Sequence, residues 1–209
     1  MSLCSLKICR LILCGIVGCC LAAPLQTVSA RPQEAKAQAG QPTMEQMMAE
    51  YEKAGAPGPE HERIKELAGN WKTVTKSFMA PGAEPMVSEG TSKVSLIHGG
   101  RFAMEEFKGS LMNKPFQGLG LTGYDKAKKQ YVSSWTDSMS TAIMMMHGSY
   151  DAATKELQMT GSYDDPLTKQ TKKFRTVGKM IDPDKHVFSM YEEAEGKEAL
   201  SMEITYTRQ

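Results

Sequence analysis

From Trp71 onward the chain is cut into short stretches rich in Val, Thr, Tyr, Phe and Met by turn-forming clusters: APGAEP, HGG, YDKAKK, YDAATK and DPDK. Turn signals recurring every ~8 to 12 residues leave no room for an ordinary helix between them and mark an all-β barrel or sandwich. The pattern predicts about ten strands, over 71–79, 87–97, 101–108, 116–123, 130–136, 141–150, 155–162, 170–180, 185–193 and 198–207. Connections this short favour antiparallel neighbours. The expected architecture is therefore an up-and-down meander that closes on itself and leaves no unpaired edge.

Alternation says which side chains point inward, because successive residues of a strand face opposite ways. In the last strand Leu200, Met202, Ile204 and Tyr206 share one parity, while Ser201, Glu203, Thr205 and Thr207 share the other. Arg208 continues the apolar parity. A charge then ends the inner face and needs a partner there.

Two short helices are expected ahead of the barrel. MEQMMAEYEKAG (44–55) sets Met44, Met47, Met48 and Tyr51 at helical spacing behind Thr43 as N-cap. After the break at Pro57 to Pro59, EHERIKELAG repeats the pattern with Ile64 and Leu67 and a terminating Gly69. Residues 31–43, RPQEAKAQAGQPT, have no apolar period and read as a flexible linker.

Residues 1–30 place Lys7 and Arg10 before an apolar run from Leu11 to Ala23 and end in the small residues Val28-Ser29-Ala30. This is the pattern of a secretory signal peptide cleaved after Ala30. The run is shorter than the roughly 20 residues a helix needs to cross a bilayer, and no later segment is long and apolar enough, so no transmembrane segment is expected in the mature chain. A second reading stays open: Ile16-Val17-Gly18-Cys19 resembles a bacterial lipobox, which would anchor the chain by a lipid on Cys19. The expected location is outside the cytoplasm, periplasmic or secreted, with the lipoprotein as the alternative.

All five cysteines (Cys4, Cys9, Cys14, Cys19, Cys20) lie in that segment. A chain cut after Ala30 has none, which excludes disulfides, thiolate zinc sites and cysteine nucleophiles. Such a chain holds together by core burial, and the 179 residues left when 30 are removed from 209 suit one domain, 44–209, behind its linker. Loss of Lys7 and Arg10 lowers the basic count from 25 to 23 against 24 acids, a net charge near −1. That balance gives no electrostatic case for nucleic acid as a partner.

Gly69-Asn70-Trp71 at the head of the first strand, Gly123-Tyr124-Asp125 midway and Arg208 at the end of the last strand resemble the barrel-closing signature of the calycin group, which includes lipocalins and fatty-acid-binding proteins. The resemblance implies that Trp71 and Arg208 close the barrel. A Trp covers the end, and a guanidinium stacks on it while donating to carbonyls that the strand ends leave free. PGPEHERIKELAGNW, HGGRF, PFQGLGLTGYD, SSWTDSMST, YDDPLT and MEITYTR together resemble the bacterial family called domain of unknown function 1579, over nearly all of 44–208. That implies a lipocalin-like barrel, and the family brings no established activity.

TAIMMMHGSY (141–150) invites a copper(I) reading, since thioethers are soft ligands. Strand geometry divides the run, with Met144 and Met146 facing one way and Met145 and His147 the other. Methionine is also the flexible filler of irregular apolar cavities, so a cavity wall with Met144 and Met146 inside is the preferred reading. The string GLGLTG (118–123) matches a dinucleotide-binding pattern, but that motif works between a strand and a helix, and here another strand follows. No nucleophile elbow, HExxH or phosphate-binding loop is present, and none of His61, His98, His147 and His186 sits beside a motif that would activate a serine.

Trp135-Thr136-Asp137-Ser138 reads either as a hairpin capped by Asp137 or as a pocket mouth. In GGRFAMEEF the adjacent Glu105 and Glu106 put a carboxylate on each face; an inward Glu facing Arg175 would either orient a polar ligand head or form a purely structural ion pair. The candidate ligand-binding set is Phe102, Met104, Glu106, Trp135, Asp137, Met144, Met146 and Arg175. The expected function is non-catalytic binding of a small apolar or amphipathic molecule inside the barrel, with no cofactor or metal. The alternatives are a carrier of haem on His147 or His186 or of copper on the methionines, a small enzyme acting on a lipid-like molecule, and a filled barrel whose outer surface binds another protein.

Overall fold

The computed structural model describes residues 41–194 and 196–209. Ten strands follow one another, each antiparallel to the next: β1 (Gly69–Ser77), β2 (Met86–Ile97), β3 (Phe102–Leu111), β4 (Lys114–Asp125), β5 (Gln130–Asp137), β6 (Met144–Asp151), β7 (Glu156–Asp164), β8 (Thr171–Asp182), β9 (Lys185–Ala194) and β10 (Lys197–Arg208). β1 also pairs with β10, so the sheet closes into a ten-stranded antiparallel barrel. Closure leaves no strand edge free to pair with another chain. The two-residue turn Met112-Asn113 between β3 and β4 holds both residues at positive φ, 51° and 62°. Two such residues match the right-handed twist of the flanking strands, and Asn tolerates the conformation well.

Two short helices precede the barrel, α1 (Met44–Gly55) and α2 (Pro59–Glu66). Thr43 caps α1 in a reciprocal box: its hydroxyl accepts from Gln46 N at 3.1 Å, and the Gln46 side chain accepts from Thr43 N at 2.8 Å. The apolar positions of α1 stay exposed, Met44 at 71% and Tyr51 at 74%, so capping rather than burial defines this helix. α2 buries His61 and Ile64. Tyr131 Oη donates to Glu60 O at 3.1 Å and the Arg63 guanidinium lies 3.5 Å over the Tyr150 ring, which ties α2 to β5 and β6.

Pairing fixes the inner face. Trp71 and Thr73 on β1 stand opposite Arg208 and Tyr206 on β10, and Phe107, Glu105 and Ala103 on β3 stand opposite Gly118, Gly120 and Thr122 on β4. Further round, Met146 faces Gly161 and Gly161 faces Phe174.

Several expectations need correction. β6 begins at Met144, so Thr141 to Ile143 lie outside the strand, with Ile143 66% exposed. The parity of β10 breaks between Leu200 and Met202, where the register with β9 shifts. The extra residue of this bulge puts Leu200 opposite outward-facing Tyr191, while Ala199 pairs with inward Glu192. Gly69 opens β1 rather than ending α2. Its φ of 145° is open to glycine alone, and a Cβ there would fall on the Arg208 guanidinium. The expected signal peptide (1–30), the Cys19 alternative and residues 31–40 of the linker lie outside the described residues.

Candidate functional site

One end of the barrel is sealed. Trp71 is fully buried, its Nε1 donating to Leu67 O at 2.9 Å, and Ile64 and Tyr131 beside it are 2% and 3% exposed. The Arg208 guanidinium stacks 4.2 Å from the Trp71 ring and donates to Ala68 O at 2.9 Å and Pro183 O at 2.9 Å. One planar cation thus gathers carbonyls from the end of α2 and from the β8–β9 turn. His186 stacks on Tyr206 at 4.1 Å and meets Trp71 edge-on at 4.6 Å. Burial, reinforced by the Arg208 charge, lowers the His186 pKa to about 4, so the ring is neutral at ordinary pH.

Directly above this floor sits Glu105. Its Oε1 accepts from Ser92 Oγ at 2.7 Å and from Tyr206 Oη at 3.2 Å, which joins β2, β3 and β10 across the interior. Among the described residues its Oε2 accepts no hydrogen bond, and Glu105 is half-buried and points inward. Burial raises the Glu105 pKa, with the Ser92 and Tyr206 hydrogen bonds pulling the other way. On the same face the hydroxyls of Thr73 and Thr176, each residue 1% exposed, meet no protein partner.

The opposite half of the inner face is apolar and partly open. Trp135, Met144, Tyr163, Met190 and Met202 point inward yet are only half-buried. The Trp135 ring lies against Gly118, where any side chain would collide with it, and packs tightly over Gly120, so it lines the wall instead of crossing the interior. Its Nε1 donates to Asp137 Oδ2 at 3.1 Å, and Asp137 Oδ1 accepts from Met139 N at 2.8 Å. Asp137 therefore caps the hairpin and anchors the ring at once. Phe107 meets Trp135 at 6.3 Å and Phe116 at 6.0 Å, extending an aromatic rim; a concavity of about 360 Å³ nearby lies mainly on the outer wall, lined by Glu106, Lys108, Leu119 and Thr136.

Of the residues singled out in the sequence, the structure gathers Trp135, Asp137, Met144 and Met146 on the inner face. Phe102, Met104 and Glu106 lie on the outer face, because β3 turns Ala103, Glu105 and Phe107 inward. Phe102 covers Gly123 from outside, which explains a large apolar side chain there. Arg175 is also outward. It bonds Glu198 at 2.8 and 2.7 Å and lies 4.3 Å over Tyr191, along an outer trough of about 780 Å³ that includes Met145 and His147. Of the Glu105–Glu106 pair the inward carboxylate is Glu105, and among the described residues no arginine faces it. The doubled EE of β3 signalled that one carboxylate had to be inside, but the apolar Phe102 and Met104 pointed to the wrong one.

The alternation of β6 divides the methionine run between the two faces of the wall. Met146 is 9% exposed and Met145 58%, on opposite sides of one wall, so Met144 to His147 cannot converge on one ion. His147 faces outward. The Nε2 of His186 is enclosed and unpartnered, so neither histidine offers that nitrogen to a haem in the interior without repacking.

The closed antiparallel barrel, its Trp–Arg floor and its paired helices can be set against known families. A family model described as "Protein of unknown function (DUF1579)" matches residues 56–208. The chain belongs to the DUF1579 family. The match takes in α2 and all ten strands, so the sealed floor, Glu105 and the open half all lie within the DUF1579 region. No curated protein matches the chain.

Proposed function

We propose that this DUF1579 protein works outside the cytoplasm and binds a small apolar or amphipathic molecule inside its barrel, without converting it. The observation that carries this reading is the contrast between a sealed floor and an inner face whose apolar side chains, Trp135, Met144, Met190 and Met202, keep accessible surface while pointing inward. A self-filled barrel would bury them. Apolar linings with a few polar groups are the usual form of small-molecule sites. Export is supported by the order of charge, apolar run and small residues in 1–30.

Titration with a neutral apolar fluorophore tests the binding. Met146→Ala should change the affinity several-fold, and His147→Ala, on the outer wall, should leave it unchanged. No saturable binding by the wild type, or equal effects of the two variants, would remove the reading. Intact-mass measurement of the native product tests export: a chain starting at Arg31 supports it, and a lipid adduct on Cys19 replaces it with the anchored form.

A further inference from the structure

We propose that the molecule held in the barrel is a cationic amphiphile, an alkyl chain ending in a protonated amine, whose head group seats on Oε2 of Glu105. This rests on the binding reading above and adds the chemistry of the ligand. The inward parity carries three acids, Glu105 on β3, Asp137 on β5 and Glu192 on β9. The bases on that parity are committed elsewhere or lie at the rim. Arg208 is stacked in the floor, Lys172 is held by Asp165 at 2.6 Å, and Lys114 and Lys197 sit exposed at turns. An anionic head group would meet no free cation in the depth of the barrel, while an ammonium would meet a carboxylate already oriented for it.

The orientation is built in. Ser92 and Tyr206 both donate to Oε1, which leaves Oε2 as the acceptor open to the interior. Trp135 and Glu105 both border Gly120: a Cβ built there would lie 3.3 Å from the Trp135 ring and 3.5 Å from the Glu105 Cβ, which makes the two side chains neighbours on the inner wall. Ammonium groups are attracted both to carboxylates and to tryptophan faces. The polar head would lie between Glu105 and Trp135, and the tail would run past Met144, Met190 and Met202 toward the open end.

The experiment compares dodecylamine, dodecanol and dodecanoic acid as displacers of neutral N-phenyl-1-naphthylamine, near neutral pH and below micelle-forming concentrations. The amine should bind at least about tenfold tighter than the acid, a difference of one ordinary charge-assisted contact. Glu105→Gln should shrink that preference to about twofold or less, and Glu106→Gln, on the outer face, should keep it. Equal displacement by all three, preference for the acid, or a preference that survives Glu105→Gln would overturn the head-group assignment while leaving the barrel as a binder. Failure of the wild type to bind the fluorophore or any of the three would overturn the binding reading and this inference with it. Melting curves for both variants confirm that a lost preference is not a lost fold.

Discussion

The two ends of this barrel are made of similar residue types and do opposite things. At the floor an indole, Trp71, is fully buried, and Arg208 is fixed on it by carbonyls from two other elements. At the open end the second indole, Trp135, is half-buried and held by a single hydrogen bond to Asp137 on its own strand. The difference is in what crosses the barrel. Contacts from the end of α2, from β9 and from β10 converge on Trp71, whereas Trp135 leans on the glycines of the neighbouring strand. Stability is thus concentrated at one end, which leaves the other free to keep apolar surface uncovered.

The largest expected effect tests the floor directly. Trp71→Ala removes a fully buried indole and leaves Arg208 without its stacking surface, at a cost of about 3 to 5 kcal/mol. Trp135→Ala should cost clearly less. Denaturant melts of the two variants read the ratio, and equal losses would abolish the contrast between the ends.

Acid should attack the same end. His186 has its pKa lowered from 6.5 to about 4, so between those values the unfolded chain binds a proton that the folded chain resists. Stability therefore falls as pH drops through that window and levels off below it, by at most roughly 3 kcal/mol for this one group. Glu105 works in the opposite sense, since its raised pKa favours the folded state as pH falls toward 4.5. His186→Phe keeps an aromatic ring against Tyr206 and removes the proton site. Its stability should fall less steeply than the wild type's over this window, and parallel curves would show that His186 does not carry the acid sensitivity.

How much of this was legible in the sequence depends on what each residue answers to. The ten strands and the Trp71–Arg208 floor could be read because turn chemistry and a closing pair are local or terminal signals. Met144 and Met146 followed from alternation alone, since nothing interrupts β6 after Met144. β3 misled because its outer Phe102 and Met104 are larger and more apolar than inner Ala103 and Glu105, so hydrophobicity and inwardness pointed opposite ways. Leu200 was lost to a bulge, which shifts parity without any local signature. Arg175 found its partner in Glu198, two strands away, a pairing that only the closed register brings together.

A pair of glycines sharpens the comparison further. A Cβ at Gly69 would fall on the Arg208 guanidinium and one at Gly118 on the Trp135 ring. Arg208 cannot yield without releasing its carbonyls, and Gly69 also has a φ of 145°. Gly69→Ala should therefore cost about 2 kcal/mol or more. Trp135 is only half-buried and is held by one side-chain hydrogen bond. Gly118→Ala should cost under about 1 kcal/mol while pushing the ring into the interior, which would shift tryptophan fluorescence and weaken fluorophore binding. A Gly118→Ala protein as damaged as Gly69→Ala would mean that the open half is packed as tightly as the floor.

An effect of reversed sign is expected at Glu105, between the two ends. A carboxylate there has little solvent, accepts two hydrogen bonds on one oxygen and meets no cation, so its charged form is disfavoured and its pKa rises. Glutamine keeps an acceptor for Ser92 and Tyr206 and discards the charge. Near neutral pH, Glu105→Gln should melt a few degrees higher than the wild type, consistent with about 1 kcal/mol in a domain of this size. The gain should shrink as pH falls toward 4.5, where the wild-type carboxyl takes up its own proton more readily than in the unfolded chain. Groups retained against stability mark functional positions. A melting temperature lowered at every pH would instead make Glu105 a structural strut of the floor, and the boundary between the sealed end and the open end would move past it.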